Sequence, residues 1–185
     1  MANTTSASLK LTVQQTGENS GTWGQYTNTN LLILEQAIGG YDAVALNATT
    51  GATLAFSNGV LSNGKNQVIK LTGTITSNVN VLIPDGIEKT YLVENATSGA
   101  FTVTFKTSSG TGATWSTTDK GYKILYSDGT NIVDVIANIN TINQFTLPSS
   151  DGTSGQALTT NGSGTLSFAG PYVSNGKAIA FSIIF

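Results

Sequence analysis

The chain has 185 residues, of which 10% are charged, with a net charge of −2 and neither His nor Cys. Charged residues usually make up about 25% of a domain, so the surface is expected to be neutral; Thr, Ser, Asn and Gly supply nearly half of the chain. These counts exclude a Ser-His-Asp triad, His- or Cys-ligated zinc and disulfides, and eight scattered lysines without Arg offer no basic stripe for nucleic acid.

The 39% of hydrophobic residues fall in ordered alternations, which argues against a disordered polar tail. The start, MANTTSASLK, has neither a basic region nor an apolar core, so no secretory signal is expected. No stretch approaches the roughly 20 apolar residues of a membrane helix. The expectation is a protein made in a cytosol.

In chain order the first part is 1–41. Leu9, Leu11 and Val13 alternate with polar residues as a short strand or extended arm, and Thr16–Gly24 is a turn-rich loop. Leu31, Leu34, Ala37 and Ile38 then share one helical face, with Asn28 or Asn30 as candidate cap. Gly39 and Gly40 are expected to end the helix in the left-handed closing conformation that glycine tolerates. At about ten residues this helix is too short to stand alone, so its apolar stripe must dock.

The second part, 42–138, is a run of strands. Ile69, Leu71 and Ile75, then Val79, Val81 and Ile83, then Tyr91 and Val93, then Phe101, Val103 and Phe105 alternate with polar residues. Pro84-Asp85-Gly86 is a turn, and Tyr122, Ile124 and Tyr126 lead through Ser127-Asp128-Gly129-Thr130 into Ile132–Ile136 as a hairpin. Strands every 8 to 12 residues predict an all-β, antiparallel β-sandwich, jelly-roll-like.

The third part, 139–185, is turn-rich. A hairpin is expected from Ala157–Thr160 and Thr165–Phe168 around Asn161-Gly162-Ser163-Gly164. Ile179, Phe181, Ile183 and Phe185 lie on one face of a last strand whose burial is worth roughly 6 to 12 kcal/mol. Such a strand packs either on the sandwich or, as preferred here, on copies of itself in neighbouring subunits.

Chemistry is sparse. Glu94 with Asp119 or Asp134 is the one carboxylate pairing a glycosidase could use, whereas Asp85, Asp128 and Asp151 precede glycine as turn residues do. Oxygens around Asp128 and Asn131 match no calcium motif, and the Gly110–Gly112 and Gly162–Gly164 loops lack a phosphate cradle's lysine. Trp115, Tyr122 and Tyr126 are either core aromatics or a stacking surface for a host glycan.

Two stretches carry a family resemblance. "TGENSGTWGQYTNTNLLILEQAIGG" resembles the N-terminal segment of tail-fibre and virion structural proteins of tailed bacteriophages, through Gly21, Trp23, Gly24, Asn28, Asn30, Leu31, Leu34, Ile38, Gly39 and Gly40. "LPSSDGTSGQALTTNGSGTLSF" is similar to a connector of phage fibres, Leu-Pro-x-x-Asp-Gly-x-x-Gly-Gln-x-Leu-x-Thr-x-Gly-x-Gly-x-Leu-x-Phe. The resemblance implies a non-enzymatic virion component without cofactor or metal, assembled in the host cytoplasm and homotrimeric. It would be a tail-fibre-like appendage, or alternatively a capsid decoration or head-fibre protein, or a glycan-binding receptor-recognition module. Its partners would be other virion proteins and itself, not nucleic acid and not a membrane. The implied anchor is Trp23, Gly24, Asn28, Asn30, Leu31, Leu34 and Ile38, with Trp23 filling a pocket on a virion neighbour or on its own sandwich; a satellite core under the Gly-rich loop is the other reading of Trp23. The implied oligomerisation set is Leu158, Leu166, Phe168, Ile179, Phe181, Ile183 and Phe185.

Overall fold

The computed structural model describes residues 2–137, 141–142 and 145–170, and divides the chain into two compact units, Met1–Ala137 and Asn138–Phe185. The first unit opens with a two-strand arm, β1 (Thr4–Thr5) and β2 (Thr12–Val13), followed by helix α1 (Trp23–Gly39). The helix runs straight into β3 (Tyr41–Ala45), so the first 41 residues belong to the same unit as the sheets.

After β3 the chain alternates between two sheets. β4 (Gly51–Thr53), β6 (Val79–Ile83), β8 (Val103–Thr107) and β9 (Gly112–Trp115) form one sheet in that order. β3, β5 (Val68–Thr72), β7 (Glu88–Asn95), β10 (Gly121–Asp128) and β11 (Ile132–Asp134) form the other. Alternate inward residues of both sheets make one apolar core, in which the Tyr91 and Phe105 rings sit 5.4 Å apart. The β-rich architecture expected from the alternations is present.

The pairing corrects the expectation of a wholly antiparallel sheet system. β3 pairs with β5, β5 with β7, β4 with β6 and β6 with β8 in parallel. Each circuit of the chain therefore lays its strands on those of the circuit before, Val68 beside Leu92 in one sheet and Val79 beside Val103 in the other. The stacking continues through one corner: the Thr76 amide donates to Ala48 O at 2.9 Å, Ser98 N to Gly73 O at 2.9 Å, and the Thr74 and Ser98 hydroxyls meet at 2.8 Å. A reversed last layer closes the coil, β9 antiparallel on β8 and β10 antiparallel on β7. The hairpin predicted around Asp128-Gly129 joins β10 to β11.

Alternation misleads here for a physical reason. Parallel strands are usually covered on both faces and read as continuous apolar runs. In this coil the outer faces carry Lys70, Thr72, Asn80, Thr90, Glu94 and Thr104, so each strand shows the in-out period of a one-sided antiparallel sheet. Eight- to twelve-residue spacing likewise fits a corner between sheets as well as a hairpin. The predicted Pro84-Asp85-Gly86 turn is such a corner, joining β6 to β7.

The second unit contains β12 (Thr141–Ile142) paired with β13 (Phe145–Thr146), and the predicted hairpin of β14 (Ala157–Thr160) and β15 (Leu166–Ala169). The connector motif is a set of turn devices. Asn161 Oδ1 accepts from the amides of Ser163 and Thr165, Gln156 Oε1 accepts from Thr153 N at 2.7 Å, and the Gly152 backbone lies against the Phe168 ring.

Coil stacking makes a specific demand at Gly51, whose φ is +81° and where a Cβ would overlap the Asn80 backbone of the next circuit; Gly86 has φ +77° but open space around it. Gly86→Ala should cost about 1 kcal/mol, the left-handed penalty alone, and Gly51→Ala a further ~2 kcal/mol or more for the overlap. Urea unfolding of both variants checks this, and equal losses would contradict a close β4–β6 stack.

Candidate docking surface on the N-terminal helix

The helix begins earlier than expected. Thr22 occupies its N-cap position without a side-chain capping bond, and Asn28 and Asn30 lie within the helix rather than capping it. An amide cluster fixes the entry: Asn3 Nδ2 donates to Asn19 Oδ1 at 2.8 Å, and the Asn19 carbonyl accepts from the amides of Thr22 and Trp23. Asn30 clamps the arm instead, its Oδ1 accepting from Thr12 N at 2.9 Å while its Nδ2 donates to Thr12 O at 2.8 Å. Its two amide groups pair with β2 as a neighbouring strand would.

The docked face of α1 carries Tyr26, Asn30, Ile33 and Ala37, spaced by four, three and four; Ile33 is fully buried and the others are half-buried. Leu31, Leu34 and Ile38, expected to dock the helix, face away from it, at 59%, 36% and 79% exposure. The four consecutive apolar residues Leu31, Leu32, Ile33 and Leu34 satisfy a helical period from more than one side, so periodicity alone does not choose the inner face. Trp23 stands 65% exposed at the helix start, which overturns the satellite-core reading. Gly24 is half-buried and Asn28 is exposed.

The last turn is fixed to the coil by polar contacts. Gln36 Oε1 accepts from Ser62 N at 3.3 Å, and the Lys89 ammonium donates to the Ala37 carbonyl at 3.2 Å and to Gln67 Oε1 at 3.1 Å, lying 4.8 Å from the Tyr91 ring centroid. A cation at the carbonyl end of a helix is favourably placed, yet burial pushes the Lys89 amine down to about 8. Gly40 ends the helix in an extended conformation, φ −68°, and not the left-handed one expected. Space requires the glycine: a Cβ there would overlap the Gln36 carbonyl and the Asn66 side chain. An open groove of about 430 Å³ runs beside this turn, lined among others by Leu32, Glu35, Tyr41 and Leu61. Sequence reading missed it because Leu61 and Tyr41 meet the helix only through the fold.

The aromatic candidates separate. Trp115 is fully buried in the core, its Nε1 donating to Gly121 O at 3.1 Å, so it is no glycan contact. Tyr122 and Tyr126 are exposed on the outer face of the five-stranded sheet. The register sets Tyr41, Val68, Leu92 and Ile124 in one row across four strands there, a row that sequence spacing does not reveal.

The candidate carboxylates have lysine partners. Glu94 pairs with Lys70 at 3.1 Å, and Lys123 bridges Asp134 at 2.8 Å and Asp119 at 3.4 Å. Asp128 Oδ1 accepts from Thr130 N and Asn131 N, amides that hold its carboxyl below the usual range. Among the described residues no three acidic side chains are grouped to hold a metal ion, and no helix is long and apolar enough to cross a membrane.

In the second unit Leu158 is exposed and sits directly across from Phe168, with Leu166 two pairs along on the same face; Leu166 and Phe168 are half-buried. Ile179, Phe181, Ile183 and Phe185 lie outside the described residues.

Lys89 yields a pH signature. Its folded value lies below the 10.5 of an unperturbed lysine, so between about pH 8 and 10.5 the unfolded chain binds more protons than the folded one. Stability therefore rises with pH across that window, and Lys89→Met should flatten the rise in urea midpoints measured at pH 7.5, 9 and 10. An unchanged slope would show that Lys89 is not the buried amine responsible.

No family model matches the chain, and neither a curated protein nor a solved structure matches it.

Proposed function

We propose that the chain is a non-enzymatic structural component of a tailed-phage particle, a homotrimeric, tail-fibre-like appendage attached through its N-terminal segment. The observation that carries this reading is the exposure of Trp23 on a helix that is otherwise fastened down by Asn30, Ile33, Gln36 and Ala37. A large exposed aromatic on a fixed support is how an interface anchor is presented. The rest of the surface suits a building part: charges are few, and Glu94, Asp134 and Asp128 are engaged by lysines or turn amides. A capsid decoration or head-fibre protein would use the same anchor, and labelling the protein on intact particles distinguishes tail from capsid.

Trp23→Ala removes the anchor without touching the core. Particles assembled with this variant should lose the protein, as quantified by mass spectrometry of purified virions, while the isolated variant keeps its unfolding midpoint. Full retention on the particle would refute the anchoring role.

The exposed Tyr122 and Tyr126 favour a second reading, in which the outer sheet face stacks on a host glycan. Tyr122→Ala with Tyr126→Ala should then reduce adsorption to host cells at least tenfold; unchanged adsorption would remove the glycan reading.

A further inference from the structure

We propose that Asn161, in the turn of the β14–β15 hairpin, is a site of self-modification. There the backbone nitrogen of Gly162 converts the side-chain amide to aspartate and isoaspartate, with water as the only co-reactant. The site stands apart from the particle reading above.

An asparagine followed by glycine is the pair in which this reaction is least hindered, because glycine sets no side chain beside the attacking nitrogen. Three such pairs fall among the described residues, Asn58-Gly59, Asn63-Gly64 and Asn161-Gly162, and Asn175-Gly176 lies outside them. Local sequence treats the three alike, and the fold does not.

Asn63 opens a single 3-10 turn, Asn63–Lys65, and Ala55 holds both of its reacting groups. Asn63 Oδ1 accepts from Ala55 N at 2.7 Å, and Gly64 N donates to Ala55 O at 3.1 Å. Gly64 is buried, with its backbone against the Phe56 ring. Asn58 is exposed, but Gly59 N donates to Lys10 O at 2.7 Å, and a Cβ on Gly59 would overlap Thr12 Oγ1. Freeing that nitrogen means lifting the N-terminal arm, which Asn30 clamps through both backbone groups of Thr12.

Asn161 has no such cover: Thr160, Asn161, Gly162 and Ser163 are all exposed, and space around Gly162 is open. Gly162 N donates to Thr160 Oγ1 at 3.1 Å, a surface bond that rotation of one side chain releases. Asn161 Oδ1 accepts from Ser163 N at 2.8 Å and from Thr165 N at 3.1 Å. These two donors stand on the oxygen that becomes negative when the amide carbon is attacked.

Hydroxide removes the Gly162 amide proton, and the nitrogen forms a bond to Asn161 Cγ. Charge passes to Oδ1 between the two backbone donors. Collapse breaks the Cγ–Nδ2 bond, and Nδ2 leaves as ammonia with a proton from water. One water then opens the five-membered imide, giving aspartate by attack at Cγ and isoaspartate by attack at the main-chain carbonyl. Either product puts a carboxylate into a hairpin whose residues 157–169 carry no charge. Isoaspartate also lengthens the turn by one methylene and displaces the oxygen that Ser163 and Thr165 share.

The test uses the unaltered full-length chain, held at pH 8 and 37 °C either folded or unfolded in guanidinium, with each asparagine followed by peptide mass spectrometry with fragmentation. In the folded chain Asn161 should convert at least tenfold faster than Asn58 or Asn63, and unfolding should bring the three within about threefold of one another. Equal rates in the folded chain, or a lead for Asn58 or Asn63, would overturn the site. A tenfold lead for Asn161 that survived unfolding would also overturn it as a property of the fold, and assign it to local sequence.

Discussion

The unit that carries α1 depends on the requirement that every strand of the coil pair with the strand one circuit earlier. Inward residues such as Ile69, Val93, Val81 and Phe105 are buried because two stacked sheets close over them. The backbone groups of each circuit are satisfied by the next, including those in the Ala48–Thr76 and Gly73–Ser98 corner. A coil of this kind has two open ends, which expose strand edges to association. Here both ends carry polar devices at inward positions. On the first edge strand Asp42 has the same inward parity as Val44, and at the other end Lys123 and Asp134 pair across β10 and β11 with the ammonium 5.6 Å from the Trp115 ring. A second chain that added a strand at either edge of the five-stranded sheet would meet these charged groups on the core side.

Two exposed apolar surfaces of the first unit stand out away from those edges, one along α1 and one across the outer face of the five-stranded sheet. The two differ in how they are built. The sheet surface mixes Tyr122 and Ile124 with the Lys70–Glu94 pair on the neighbouring strands, so it is amphipathic and hydrogen-bonding. The helix surface is a narrow aliphatic stripe ended by Trp23. A polar ligand suits the first and a packed helix the second, and this is why the two surfaces carry separate readings.

How much could be read in advance follows from which signals are local. The strand cores, the Asp128-Gly129 hairpin, the β14–β15 hairpin and a helix ending before Tyr41 all rest on period-two alternation, turn chemistry or consecutive glycines, and all are present. Strand direction is a non-local property: nothing in "VIKLT" or "VNVLI" says whether the neighbour runs the same way, and a hydroxyl-rich outer face erased the usual compositional mark of parallel pairing. The inner face of α1 was illegible for a similar reason. Leu31 and Leu34 are as apolar as Ile33, and what selects Ile33 is the position of Asn30 and Gln36, whose amides find the arm and the Ser62 amide. Polar residues, not hydrophobic ones, set the rotation of this helix. In the same way Trp115 and Tyr126 are indistinguishable as strand aromatics, yet only Trp115 has the inward parity that Leu125 and Ser127 hold on β10.

The join between helix and sheet ties these features together. Gly40 accepts from Val68 N through its carbonyl and donates its own amide to Gln36 O, so a single residue belongs both to the last helical turn and to the hydrogen-bond ladder of β3 and β5. No linker separates the stripe from the coil: rotating α1 about its axis would break the Gln36–Ser62 and Lys89–Ala37 bonds and pull Gly40 from the ladder. The direction in which Leu31, Leu34 and Ile38 point is therefore fixed relative to the first unit's core. Any partner seated on that stripe would meet the coil in a defined orientation, with less ordering entropy lost on binding than a flexible arm would lose.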